Sequence, residues 1–65
     1  MKCQITKREK QVLQLLAEDY TTKELANLLF VSAETITSHR KSLRNKLKVR
    51  TTAGLVWRSV ELGLL

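Results

Sequence analysis

The chain has 65 residues, 43% of them apolar and 28% charged, with a net charge of +6. That length allows one small domain with a thin core and excludes a multidomain enzyme. No apolar run nears the roughly 18 residues of a membrane span, the start lacks the apolar stretch of a signal peptide, and Cys3 alone cannot form an internal disulfide.

The charge is unevenly placed. Residues 1–34 balance five bases against five acids, whereas residues 35–65 hold seven bases and one acid, Glu61. Six of those bases fall between positions 40 and 50. A local positive field of this kind attracts polyanions.

Apolar residues recur at spacings of three and four, so the predicted class is all-α, with four helices at about 7–18, 22–29, 33–47 and 52–62. The first helix opens on a capping box, Thr6 with Glu9, and presents Val12, Leu13, Leu15 and Leu16 to a core. No glycine follows it, so Asp19 or Tyr20 must make the exit. The second helix opens on another box, Thr21 with Glu24, and its predicted buried stripe is Leu25, Leu28 and Leu29, with Ala26 beside them. Only Phe30, Val31 and Ser32 separate it from the third helix, whose N-cap is Ser32. Thr51 caps the fourth helix and Gly63 stops it. The whole chain is expected to form one domain over 1–65, with 1–4 as a flexible tail and Cys3 as a free thiol.

Two helices joined by a three-residue turn, the second of them basic, fit a helix-turn-helix. Leu25, Leu29, Val31 and Ile36 occupy its packing positions, and Ala26 is small where the helices approach. Phe30 stands where glycine is common, so the turn must use another backbone geometry or accept strain.

A helical wheel sends Ile36, Leu43 and Leu47 inward and leaves Glu34, Thr37, Ser38, Lys41, Ser42 and Asn45 outside. The N-terminal part of such a helix reaches deepest into a major groove. Thr37, Ser38, Lys41 and Glu34 are therefore the expected base contacts. Lys41 can donate to guanine O6 or N7, and Thr37 and Ser38 can bond base edges or touch a thymine methyl. Glu34 can accept from cytosine N4 or act only on the helix dipole. Arg44, Lys46, Lys48 and Arg50 lie where phosphates come within reach, and Lys23 stands near the positive end of the second helix. His39, at the edge of the core stripe, is read either as a packed side chain or as a phosphate contact. A wheel of the last helix turns Ala53, Val56, Val60 and Leu64 toward the core. It leaves Gly54, Leu55, Arg58 and Leu62 outside as a self-complementary dimer seam.

The segments Ile5-Thr6-Lys7-Arg8-Glu9, Val12-Leu13-Gln14-Leu15-Leu16-Ala17, Thr22-Lys23-Glu24-Leu25-Ala26, Val31-Ser32-Ala33-Glu34-Thr35-Ile36, Ser38-His39-Arg40-Lys41-Ser42-Leu43 and Lys46-Leu47-Lys48-Val49-Arg50 stand in order over nearly the whole chain. Through them residues 5–64 resemble the LuxR/NarL-type (GerE-like) helix-turn-helix domain of bacterial transcription regulators, and Thr52-Ala53-Gly54-Leu55-Val56 with Gly63-Leu64-Leu65 resembles its response-regulator branch more than its autoinducer branch. The resemblance implies a third helix that reads the major groove and a fourth that mediates dimerisation. It carries DNA binding onto Lys23, Thr35, Thr37, Ser38, His39, Lys41 and Ser42, with Thr35 as a phosphate contact. The chain departs from the family in having Asp19 and Lys48 where glycine is frequent.

The expected partners are double-stranded DNA, a second copy of the chain on that DNA, and RNA polymerase. No membrane, metal or cofactor is expected, and the expected location is the cytoplasm. Two other readings compete. A sigma-factor promoter-binding region would end with its recognition helix, whereas here a further amphipathic helix follows. A protein-interaction module would carry acid or bulky apolar residues on the outer face of the third helix, where only Glu34 fits. An enzyme is disfavoured, because no carboxylate pair, nucleophile with base or Gly-rich phosphate loop is present.

Overall fold

A computed structural model describes residues 5–65. The tail expected at 1–4 and the free thiol expected at Cys3 lie outside the described residues. Four helices follow one another: α1 (Lys7–Ala17), α2 (Thr22–Leu29), α3 (Ala33–Leu47) and α4 (Thr52–Glu61). Their starts match the capping residues read from the sequence. Thr6 accepts from Glu9 N–H while the Glu9 carboxylate accepts from Thr6 N–H, and Thr21 with Glu24 repeats the arrangement. Ser32 and Thr51 cap α3 and α4 by accepting from Thr35 N–H and Gly54 N–H.

The four helices also end alike. Asp19, Phe30, Lys48 and Gly63 all have positive φ, between 56° and 72°. The N–H of the next residue then donates five residues back: Tyr20 to Leu15, Val31 to Ala26, Val49 to Arg44 and Leu64 to Ser59. This is the Schellman closure, which usually takes glycine at the left-handed position. Only α4 uses one. Asp19 makes the α1 exit, and Phe30 accepts the left-handed strain. Val31, Val49 and Leu64, just past that position, pack on the core.

α3 is the hub. It packs on α1, α2 and α4, and α1 also packs on α4. The buried core comprises Val12, Leu13 and Leu16 of α1, Leu25 and Ala26 of α2, Ile36, Leu43 and Leu47 of α3, and Leu55 of α4. Each fully buried leucine or isoleucine contributes about 1.5–3 kcal/mol of apolar transfer.

Two expectations fail on packing. Leu28 is half exposed at 50%, because the narrow inward face of this eight-residue helix is formed by Leu25 and Ala26, with Leu29 partly buried beside them. On α4 the expected faces hold at Arg58, Leu62 and Leu64 but fail at apolar positions on each. Leu55, expected outside in a dimer seam, is fully buried, whereas Val60, expected inside, is 57% exposed. Both arcs of this helix carry apolar residues, so periodicity could not rank them. The buried arc includes Ser59, whose hydroxyl donates to the Leu55 carbonyl at 2.7 Å and so enters the core without an unmet donor. Gly54 is likewise no open seam position. A Cβ there would lie 3.2 Å from Thr51 Oγ1 and 3.5 Å from Val49 Cβ, so glycine allows the α4 start to close on the preceding joint.

Candidate nucleic-acid interface

The surface of interest is the side of α3 that the core leaves free. The stripe Ile36, Leu43 and Leu47 faces inward, and Glu34, Thr37, Ser38, Lys41 and Asn45 are exposed together on the other side. The four residues expected to read bases thus share one accessible face. Thr37 Oγ1 donates back to the Ala33 carbonyl at 3.0 Å, which leaves its lone pairs and methyl group outward. Most of these side chains are short, so the face is flat and polar.

The expected phosphate contacts divide. Lys23, Lys48 and Arg50 are exposed, and Arg44 and His39 are half-buried. Thr35 is half-buried, with its hydroxyl 2.9 Å from the Ser32 hydroxyl in the cap of α3. Ser42 is committed elsewhere: it donates to Glu9 Oε2 at 2.9 Å. Its wheel position lies at the boundary between the faces, and the carboxylate captures it. On α4, Arg58 and Leu62 are exposed as expected, and Arg58 lies 3.5 Å from Glu61. The exposed apolar residues of that helix are Ala53, Trp57 at 68% and Val60.

Two polar anchors fix α3; the sequence reading gave Glu9 only as a capping residue and gave Arg40 no role of its own. Glu9 is only 4% exposed. Its Oε1 accepts from Thr6 N–H at 2.9 Å and from Lys46 Nζ at 2.7 Å, and its Oε2 accepts from Ser42. Burial by itself would raise the carboxyl pKa. The hydrogen bonds from Lys46, the Thr6 N–H and Ser42, with the charge of Lys46, overturn that and hold it at about 2. The exposed Glu24 is also lowered, by the Thr21 N–H and hydroxyl of its capping box.

The second anchor is Arg40, whose guanidinium donates through Nη1 to the Thr22 hydroxyl and through Nη2 to the Thr52 hydroxyl. One side chain of α3 therefore joins the first residues of α2 and α4. A signal for both anchors did exist. Glu9 lies on the same helical face as Val12, Leu13 and Leu16, and Arg40 falls at the stripe spacing 36, 40, 43, 47. A charged residue at an inward position demands a partner.

Among the described residues, no group of three or more His, Cys, Asp or Glu could hold a metal ion, and no helix is long and apolar enough to cross a membrane.

The likeness to known proteins agrees with this architecture. Residues 4–58 match the profile of the bacterial regulatory proteins, luxR family. The spore germination protein GerE of Bacillus subtilis is 39% identical over 61 residues, which cover 94% of this chain and 82% of that protein. The uncharacterized response regulatory protein YgeK of Escherichia coli is 38% identical over 61 residues, again 94% of this chain but 42% of that protein. The chain thus spans less than half of YgeK and most of GerE. A solved structure of the transcription factor GerE superposes with a TM-score of 0.90 at 31% identity, over 100% of this chain and 96% of that one. The response regulator ChrA of a heme-sensing two-component system superposes with a TM-score of 0.94 at 25% identity, over 100% of this chain and 32% of that one. A four-helix fold with α3 as hub, a polar outer face on α3 and a family match over most of its length make this chain a LuxR-family helix-turn-helix domain of the bacterial transcription regulators, a domain type that binds DNA.

Proposed function

We propose that residues 5–65 act as one sequence-specific reader of double-stranded DNA, with α3 lying in the major groove. Lys41, Thr37, Ser38 and Glu34 meet base edges. Lys23, Thr35, His39, Arg44, Lys48 and Arg50 meet the phosphates on either side. Ser42 leaves the contact set because its hydroxyl serves Glu9. The observation that carries this reading is the α3 face itself: flat, polar and exposed, with Lys41 among small hydroxyl side chains and further bases at its far end. Small side chains allow backbone approach to the groove floor, and the bases supply the salt-dependent part of the affinity.

Two copies assemble on the DNA through α4. The correction to its orientation moves the seam from Leu55 to the exposed Ala53, Trp57 and Val60, flanked by Arg58 and Leu62. A pair of domains related by a two-fold axis would read an inverted repeat with half-sites about one helical turn apart. Bacterial promoters in the cytoplasm supply such sites, and RNA polymerase is the further partner a regulator would engage there.

The experiment is selection of duplexes from a random pool, followed by anisotropy titrations of the recovered DNA at several salt concentrations. Enrichment of an inverted repeat, with affinity falling as salt rises, is the expected result. Enrichment of a single half-site would remove the dimer. Absence of binding at low salt would remove the DNA reading and leave the exposed apolar face of α4 as the candidate working surface.

A further inference from the structure

Position 40 belongs to the inward stripe of α3, where Ile36, Leu43 and Leu47 are all buried and apolar. An apolar residue there would complete the core edge. The chain places an arginine instead, bonded to two threonine hydroxyls, with its Nε buried and without a partner. Among the described residues no carboxylate pairs with it. Lys46, on the same helix, is neutralised by Glu9. A half-buried cation held only by neutral hydroxyls is costly, and its charge stays uncompensated within the domain. A charge kept at that cost is accounted for by the join it makes between two helix starts.

The two hydroxyls also have telling addresses. Thr22 is the residue before Lys23, and Thr52 lies two residues after Arg50. Because a single guanidinium reaches both, the starts of α2 and α4 are held within one side chain's width of each other. Lys23 and Arg50 thus each stand within two residues of a hydroxyl bonded to the same guanidinium, although 26 positions separate them in sequence.

We propose that Arg40 is a positioning residue for DNA binding: without touching DNA, it ties the starts of α2 and α4 to the recognition helix and so fixes Lys23 and Arg50 relative to each other. The proposal rests on the DNA-binding reading above. It predicts that the three cations act as a unit. Residues acting through one rigid element show non-additive effects, whereas independent contacts add.

The test is a set of mutant cycles on a labelled duplex recovered by the selection described above, with urea unfolding of each variant run alongside. Lys23→Ala and Arg50→Ala should each weaken binding by the wild type severalfold. In an Arg40→Met background those losses should shrink to less than about twofold, while Arg40→Met alone weakens binding about tenfold or more. If Arg40→Met does not fold, Thr22→Val and Thr52→Val remove the acceptors one at a time. Thr22→Val should then blunt the Lys23→Ala effect, and Thr52→Val the Arg50→Ala effect. Fully additive losses would overturn the proposal and make Arg40 a plain packing strut. Additive losses with a salt slope lower by about one in Arg40→Met would overturn it differently, by making Arg40 a direct phosphate contact. Failure of the wild type to bind any duplex strikes the DNA reading itself and is visible before any variant is made.

Discussion

The two polar anchors of α3 are built on opposite principles. The Glu9 cluster is self-sufficient: a carboxylate, an ammonium, a hydroxyl and a backbone N–H satisfy one another across α1 and α3. The Arg40 bracket is left open, with a cation, two hydroxyls and no acid. The first arrangement is what a charge buried for stability requires. The second joins two helix starts through neutral hydroxyls, with no carboxylate beside the cation among the described residues. Charges of one helix thus divide into those paired with a carboxylate and those bonded to neutral groups, and exposure alone does not sort them.

The largest test of this contrast is Glu9→Ala. It strips a nearly buried acceptor from three donors and should cost about 3 kcal/mol of unfolding free energy. Urea denaturation measures it, and a loss below about 1 kcal/mol would show that the cluster is not an anchor.

Acid gives the same contrast without mutation. The folded carboxyl of Glu9 sits at about 2, below its ordinary 4.5. Its stabilisation is therefore complete above pH 4.5 and is lost as pH falls from there toward 2. After allowance for the solvent that reaches Lys46, the loss is on the order of 2 kcal/mol. Glu24 adds a change of the same sign, because its carboxyl is also lowered. Glu9→Gln should flatten most of the slope of stability against pH in that window; an unchanged slope would assign acid sensitivity to other carboxylates.

Binding variants probe the cations that face outward. Lys41→Ala should cost about 1–3 kcal/mol on the selected duplex and relax preference at one base pair. Arg50→Ala should weaken all duplexes alike and lower the salt slope by about one. If Lys41→Ala behaved like Arg50→Ala, α3 would be rotated in the groove relative to the docking proposed above.

The smallest effect carries two signs. Lys48 sits at φ 56° at the end of α3. Lys48→Gly should relieve left-handed strain and raise stability by about 0.5–1 kcal/mol, while weakening DNA binding severalfold. Thermal unfolding and anisotropy on the same sample separate the two. A loss of stability would mean that the lysine stem contributes more packing than its backbone costs.

Local signals carried most of the fold. All four N-caps, the four helices to within a residue of their ends, and the outer face of α3 follow from short-range chemistry, because capping and a single apolar stripe act within a few positions. Asp19 as the α1 exit could be read for the same reason. What escaped is tertiary. Glu9 meets Ser42 and Lys46 more than thirty positions away, and Arg40 joins two helix starts that no local pattern links. The assignment of α4 failed at Leu55 and Val60 because both faces are apolar and the decision falls to the groove between α1 and α3. A serine that satisfies itself on its own helix fits that groove, and so Leu55 went in and Val60 stayed out.

That outcome has an optical consequence. Trp57 is the one tryptophan of the sequence and is 68% exposed on the outer side of α4. Its emission in the folded monomer should already resemble that of the unfolded chain, so intrinsic fluorescence is a poor reporter of folding. It becomes instead a label-free reporter of whatever covers α4, with a blue shift on covering that unfolding cannot imitate.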